Sequence, residues 1–209
     1  MQTPFEPPQR ASLVPLFAAL AVWTLGAALT PWLGVWGGVG GAALLVGAGF
    51  ALAYPKAVGP LCRLRRELVV QGFVAGVVMI SATYLLFPVA CKVVPSLQPR
   101  TRELYHLFNS GPAALRFLLP LVIVGEEVVW RGIVQGVIAR RVGVVGSAVA
   151  TAVIYALAHA PVNVLLVLVA LCCGLYWGLL RARTGSLVPS LLAHLMWDLM
   201  VMVWLPLLR

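Results

Sequence analysis

The stretch LVIVGEEVVWRGIVQGVIARR, residues 121–141, sets two adjacent acids, Glu126 and Glu127, inside a run that is otherwise almost wholly apolar. The rest of the chain says what solvent such a run lives in. Of 209 residues 62% are hydrophobic and 10% charged, with a mean hydropathy of +1.00. A water-soluble domain of that composition would have to expose very large apolar surfaces, so the solvent is a bilayer. A spanning helix takes roughly 17 to 25 mostly apolar residues, which leaves room for about six to eight spans and little else.

Working outward from the acidic pair, apolar stretches at 12–29, 33–53, 68–91, 113–139, 144–160, 162–180 and 187–205 predict seven helices. The expected fold is therefore all-α, a polytopic transmembrane bundle in one integral membrane domain. Thr30-Pro31, Pro55 with Gly59-Pro60, PSLQPRTRE at 95–103, Gly143, Pro161 and RARTGS at 181–186 punctuate the spans. The glycine-rich stretch GVWGGVGGAALLVGAG, 34–49, suits close helix packing in lipid and not a phosphate loop. MQTPFEPPQR, with three prolines and a glutamate, does not resemble the basic start of a cleavable signal, so the first helix is expected to be retained.

The net charge of +9 is scattered in short groups between the apolar runs, which points to topology and not to nucleic acid. Arg10, Lys56, Arg63, Arg65, Arg66, Arg140, Arg141, Arg181 and Arg183 fall on one side, and Lys92, Arg100, Arg102 and Arg209 on the other. Nine against four favours a cytoplasmic amino terminus. No internal repeat is visible, which weighs against an inverted-repeat transporter. Cys62, Cys91, Cys172 and Cys173 show no C-x-x-C spacing and no neighbouring histidine, and carry no assigned chemistry.

Three of the six acids (Glu126, Glu127, Asp198) and two of the three histidines (His159, His194) fall inside predicted spans. Each ionisable group in hydrocarbon costs at least about 2.5 to 3.5 kcal/mol, so a group of them calls for a role. Glu127 and Arg131 are four apart on one helical face, in the favourable order for an ion pair. Glu126 is turned about 100° away and is free to face a cavity. Tyr155 and His159 in ATAVIYALAHAP, and His194 and Asp198 in VPSLLAHLMWDLMVMVW, repeat the four-residue spacing on two more helices. Singly, each piece has a structural reading: Glu127 with Arg131 as a packing ion pair, a lone histidine as interhelical glue. Only Arg116 lies apart from the cluster, near a span's start where it can snorkel.

E-E-x-x-x-R at Glu126, Glu127 and Arg131, an aromatic-x-x-x-H at Tyr155 and His159, and H-x-x-x-D at His194 and Asp198 together resemble the CPBP family of intramembrane proteases. That family includes the type II CAAX prenyl endopeptidase and bacterial Abi proteins. The ordered set covers roughly residues 113 to 200, so residues 1–110 are expected to be amino-terminal helices without motifs and 111–209 the catalytic core. The family more often has phenylalanine at the position of Tyr155 and asparagine at that of Asp198. The resemblance implies that Glu126 is general base on a water with help from His159, that His194 and Asp198 stabilise the oxyanion, and that Glu127 orients with Arg131. Buried carboxylates and imidazoles suit those tasks.

Metal-free catalysis with no cofactor is expected; the alternative is zinc held by His159, His194 and Glu126, although no H-E-x-x-H is present. The expected partners are a membrane-anchored protein or peptide substrate and the lipid bilayer, and the expected location is multi-pass in a bacterial inner membrane. Two other classes fit the same residues: an ion-coupled transporter using the acids as a relay, and a non-catalytic membrane immunity or scaffold protein. The charge-based topology turns His159 outward, which would suit trimming of exported or sorting-tail substrates, whereas CAAX-like processing would suit a cytoplasmic site.

Overall fold

The computed structural model describes residues 13–208; Arg10, Arg209 and the start of the first predicted span lie outside the described residues. The longer helices are α1 (Val14–Val35), α2 (Gly41–Ala53), α3 (Arg66–Val93), α4 (Leu97–Asn109), α5 (Leu119–Glu127), α6 (Gln135–Ala158), α7 (Val164–Thr184) and α8 (Val188–Asp198). No strand occurs among the described residues. Wider, π-helical turns continue several of them: Trp36–Gly40 into α2, Val128–Val134 between α5 and α6, and Leu199–Trp204 after α8.

Four apolar stretches are long enough to cross a membrane: Val14–Ala53, Arg66–Val93, Ala113–Ala158 and Val164–Thr184; Val188–Trp204 is shorter. The first and third, of 40 and 46 residues, would be far longer than a hydrocarbon core of about 30 Å if straight. Both fold back at a glycine with positive φ, Gly34 (φ 68°) and Gly143 (φ 76°), a conformation that residues with a Cβ rarely adopt. Two hairpins and three single helices make the seven apolar helices that the sequence predicts. The fold is an all-α polytopic bundle.

Small residues set the helix spacing, as expected where no hydrophobic drive separates helix from lipid. In the first hairpin Gly26 faces Ala42, and a Cβ on Gly38 would sit 2.7 Å from the Gly26 carbonyl oxygen. Gly72 and Gly76 of α3 lie against Pro189 and Met196 of α8. Helix ends follow local chemistry. Pro120 and Pro189 stand in the first turns of α5 and α8, the Asn163 side chain accepts from the Leu165 N–H at 2.8 Å to start α7, and Gly185 in the left-handed region ends it.

Two sequence expectations need correction. PSLQPRTRE is not simply a break, because α4 begins within it and buries Thr101, Tyr105 and Phe108 on one face. The pattern at i, i+4 and i+7 is amphipathic, too polar for a span and suited to an interface. The sixth apolar run does not stop at 180: α7 continues to Thr184 and carries Arg181 as a buried helical residue instead of a loop residue. Large apolar side chains such as Phe17, Leu52, Phe73, Leu85 and Val145 point outward, forming the lipid-facing surface.

Candidate active site

α5 and α2 meet backbone to backbone immediately before the acidic pair. A Cβ on Gly125 would lie 2.4 Å from the Ala43 carbonyl oxygen, and one on Gly47 2.4 Å from the Gly125 Cα. That contact fixes the depth at which Glu126 and Glu127 enter the bundle. The helix then widens through Val128–Val134, a π-helical turn of the kind often found at functional sites.

The two acids go to different partners. Glu127, 1% exposed, pairs with Arg131 Nη1 at 3.2 Å and accepts from His194 Nδ1 at 3.0 Å through the same Oε1. Glu126 faces a cavity and accepts a 2.7 Å hydrogen bond from the Tyr155 hydroxyl through Oε2. The Arg131 guanidinium lies between two aromatic faces, 4.6 Å from the Tyr155 ring and 5.1 Å from that of Trp177, and its Nη2 donates to the Gly174 carbonyl at 3.4 Å. Four contacts of three kinds thus hold one buried cation.

His159, at the carboxy-terminal end of α6, places Nδ1 2.7 Å from the Tyr155 carbonyl oxygen. A carbonyl only accepts, so Nδ1 carries a proton, and whenever the ring is neutral Nε2 presents its lone pair. His194 stacks on Trp177 with centroids 3.6 Å apart and planes at 19°. With Nδ1 committed to Glu127, its Nε2 looks toward Asp198 Oδ1 at 3.7 Å.

Glu126, Tyr155, His159, His194 and Asp198 line one largely apolar cavity of about 140 Å³. Trp36 and Phe108 also border it, ring to ring at 5.1 Å, with the Trp36 indole N–H donating to the Phe108 carbonyl at 3.2 Å. Tyr105 of α4 donates to the Val201 carbonyl at 2.9 Å and so ties the amphipathic helix beside the cavity.

The residues singled out in the sequence therefore converge, and two features were not foreseen. One is the Glu127–His194 bond, which joins positions 67 apart in the chain. The other is the aromatic wall: Trp23 of α1 lies 5.0 Å from Trp130 and 5.6 Å from His159, so a helix without any motif contributes to the site. Among the described residues no three His, Cys, Asp or Glu side chains converge as ligands of one metal ion. The zinc set His159, His194 and Glu126 lines one cavity but is not drawn together as a ligand group.

Residues 109–200 match the family model of the type II CAAX prenyl endopeptidase Rce1-like proteins. This segment is similar to the Rce1-like family. The match supports a CAAX-type intramembrane protease in general and bears out the family resemblance carried by the three motifs. No curated protein and no solved structure gives a significant match to the chain. The matched segment contains every acid and histidine of the cavity, while Trp36 borders the cavity and Trp23 packs on His159 from the helices before it.

Proposed function

We propose that the chain is an intramembrane endopeptidase that hydrolyses a peptide bond near the carboxy terminus of a membrane-anchored protein, with water activated by Glu126. The observation that carries this is the single cavity onto which Glu126, His159, His194 and Asp198 all open.

Glu126 takes a proton from the water as its oxygen attacks the carbonyl carbon, and the lone pair on His159 Nε2 accepts the water's other hydrogen and orients it. His194 Nε2 donates to the developing oxyanion when both ring nitrogens carry protons, and the flanking carboxylates of Glu127 and Asp198 compensate that charge. Collapse of the intermediate breaks the C–N bond, and the proton held by Glu126 passes to the leaving amine. Glu127 and Arg131 act on this chemistry through His194 and are positioning residues. The apolar walls suit a substrate segment delivered from the lipid.

The test is cleavage of membrane-tethered peptides, prenylated and unprenylated, by the protein reconstituted in vesicles. Glu126→Gln, His159→Ala and His194→Ala are run beside a chelator series. General acid–base removal lowers the rate by about 100- to 10,000-fold. Full activity in all three variants would sink the proposal, and activity lost with chelator and restored by zinc would replace the metal-free mechanism.

A further inference from the structure

A second cavity, of about 280 Å³, lies at the opposite end of α7 from the active site and is bordered by Arg131, Gln135, Arg140, Ser147, Arg181 and Gly185. Three of these side chains are guanidinium groups, and none of the lining residues is acidic. Arg181 is 8% exposed and makes no ion pair or side-chain hydrogen bond among the described residues; its Nε is buried without a partner. Gln135 gives its amide N–H to the Gly178 carbonyl at 2.9 Å and leaves Oε1 unpartnered, and Arg131 leaves Nε unpartnered beyond its bond to Glu127. A buried cation without a counter-charge is costly, so the cavity is built to receive an anion.

The cavity's place in the fold narrows the anion. The turns at Gly143 and Gly185 mark this end of the bundle, and Ser186 Oγ donates to the Leu61 carbonyl at 2.9 Å, drawing in the loop that leads to Arg63, Arg65 and Arg66. Basic loops of this kind face the leaflet that presents anionic headgroups. From the rim, Val145, Val149 and Val153 run along α6 as an exposed apolar stripe on which acyl chains can lie. Guanidinium forks match phosphate oxygens in geometry.

We infer that this cavity is a phosphate-binding site, filled by the phosphate of an anionic phospholipid or by free phosphate. The experiment is native mass spectrometry and thermal melting of the full-length protein in detergent. Its probes are phosphatidylglycerol, diacylglycerol with the same acyl chains, and inorganic phosphate. Phosphatidylglycerol is expected to bind at least tenfold more tightly than diacylglycerol and to raise the melting temperature. Inorganic phosphate that matches this effect assigns the site to the free ion, and phosphate that does not assigns it to the lipid. Arg181→Gln is expected to keep its fold, since it removes an unpaired charge, and to lose at least tenfold in affinity, with Arg181→Lys losing less. Arg140→Gln reads the same loss from the other wall if the first variant cannot be recovered. Equal binding of phosphatidylglycerol and diacylglycerol with no effect of phosphate, or unchanged affinity in the Gln variants, overturns the inference and leaves the cavity to water.

Discussion

Glu127 accepts from two donors, the Arg131 guanidinium and the His194 ring, through one oxygen, and Arg131 answers with an ion pair and two aromatic faces, so the pair forms a joint between α5, α6, α7 and α8. Lysine at 131 keeps a charge near Glu127 but loses the planar fork and the stacking, because ammonium is a compact point donor. We expect Arg131→Lys to cost about 2 kcal/mol, the scale of a desolvated cation–π contact. Arg131→Met leaves Glu127 facing His194 alone and should cost about 3 to 5 kcal/mol. Thermal melting in detergent checks the order, and a lysine variant as stable as the parent would show that the rings contribute nothing. Tyr155→Phe keeps the ring that packs on Arg131 and His159 but removes the 2.7 Å bond to Glu126. A hydrogen bond to a charged group is worth about 1.5 to 3 kcal/mol, and part of that loss is recovered by water in the cavity, so kcat should fall about tenfold. Glu126→Gln should fall much further in the same cleavage assay; equal losses would make Tyr155 a participant instead of a support. The four-residue spacings made Glu127–Arg131, Tyr155–His159 and His194–Asp198 legible in the sequence, because a helix alone dictates them. Glu127–His194 and the Glu126–Tyr155 bond were not legible, since they depend on how three helices dock.

At the scale of the element, glycine placement decides where the acids sit. The Gly47–Gly125 crossing leaves no room for a methyl group on either side, and the obstructing atoms are backbone, which cannot swing away. Gly125→Ala should cost about 1 to 3 kcal/mol by overpacking and lower activity at least tenfold by shifting Glu126. Gly49→Ala, where an added Cβ meets open space, is the control and should melt and cleave as the parent does. Equal behaviour of the two variants would remove the crossing from the account of the site. The same residues show what sequence could supply. The glycine-rich run 34–49 announced close packing, yet it did not say that α5 was the partner, because small-residue spacing does not identify the opposing helix. The helix at Leu97–Asn109 was missed because Pro95, Pro99 and four charged residues in the surrounding segment read as a break, although its burial pattern is helical. Arg181 was placed in a loop because a hydropathy window ends at its first charge, whereas α7 ends only where Gly185 supplies a left-handed cap.

At the scale of the molecule, the two hairpins set which residues share an end of the bundle. The turn at Gly34, helix α4 and the segment after His159 lie at the end where the candidate catalytic cavity opens, because Trp36, Phe108 and Val162 all border it. The loop from Tyr54 to Arg65 and the turns at Gly143 and Gly185 lie at the other end, with Lys56, Arg63, Arg65, Arg66, Arg140, Arg141 and Arg183 in or beside them. The seven-helix count puts an odd number of crossings between the amino-terminal end and the carboxy terminus, so the basic bias orients the whole bundle. It predicts that the basic end is cytoplasmic and that the catalytic cavity addresses the opposite face, where membrane-anchored or exported proteins with carboxy-terminal tails would be its substrates. In a Cys62→Ser background, a cysteine introduced at exposed Arg102 should react with a membrane-impermeant maleimide added to intact cells, and one at exposed Arg65 should react only after permeabilisation. The reverse pattern would place the cavity on the cytoplasmic face and favour CAAX-like substrates. Because the Gly34 and Gly143 turns tie both ends to fixed helix pairs, labelling at these two positions orients Glu126 as well, and with it the class of carboxy-terminal tail that can reach the water it is proposed to activate.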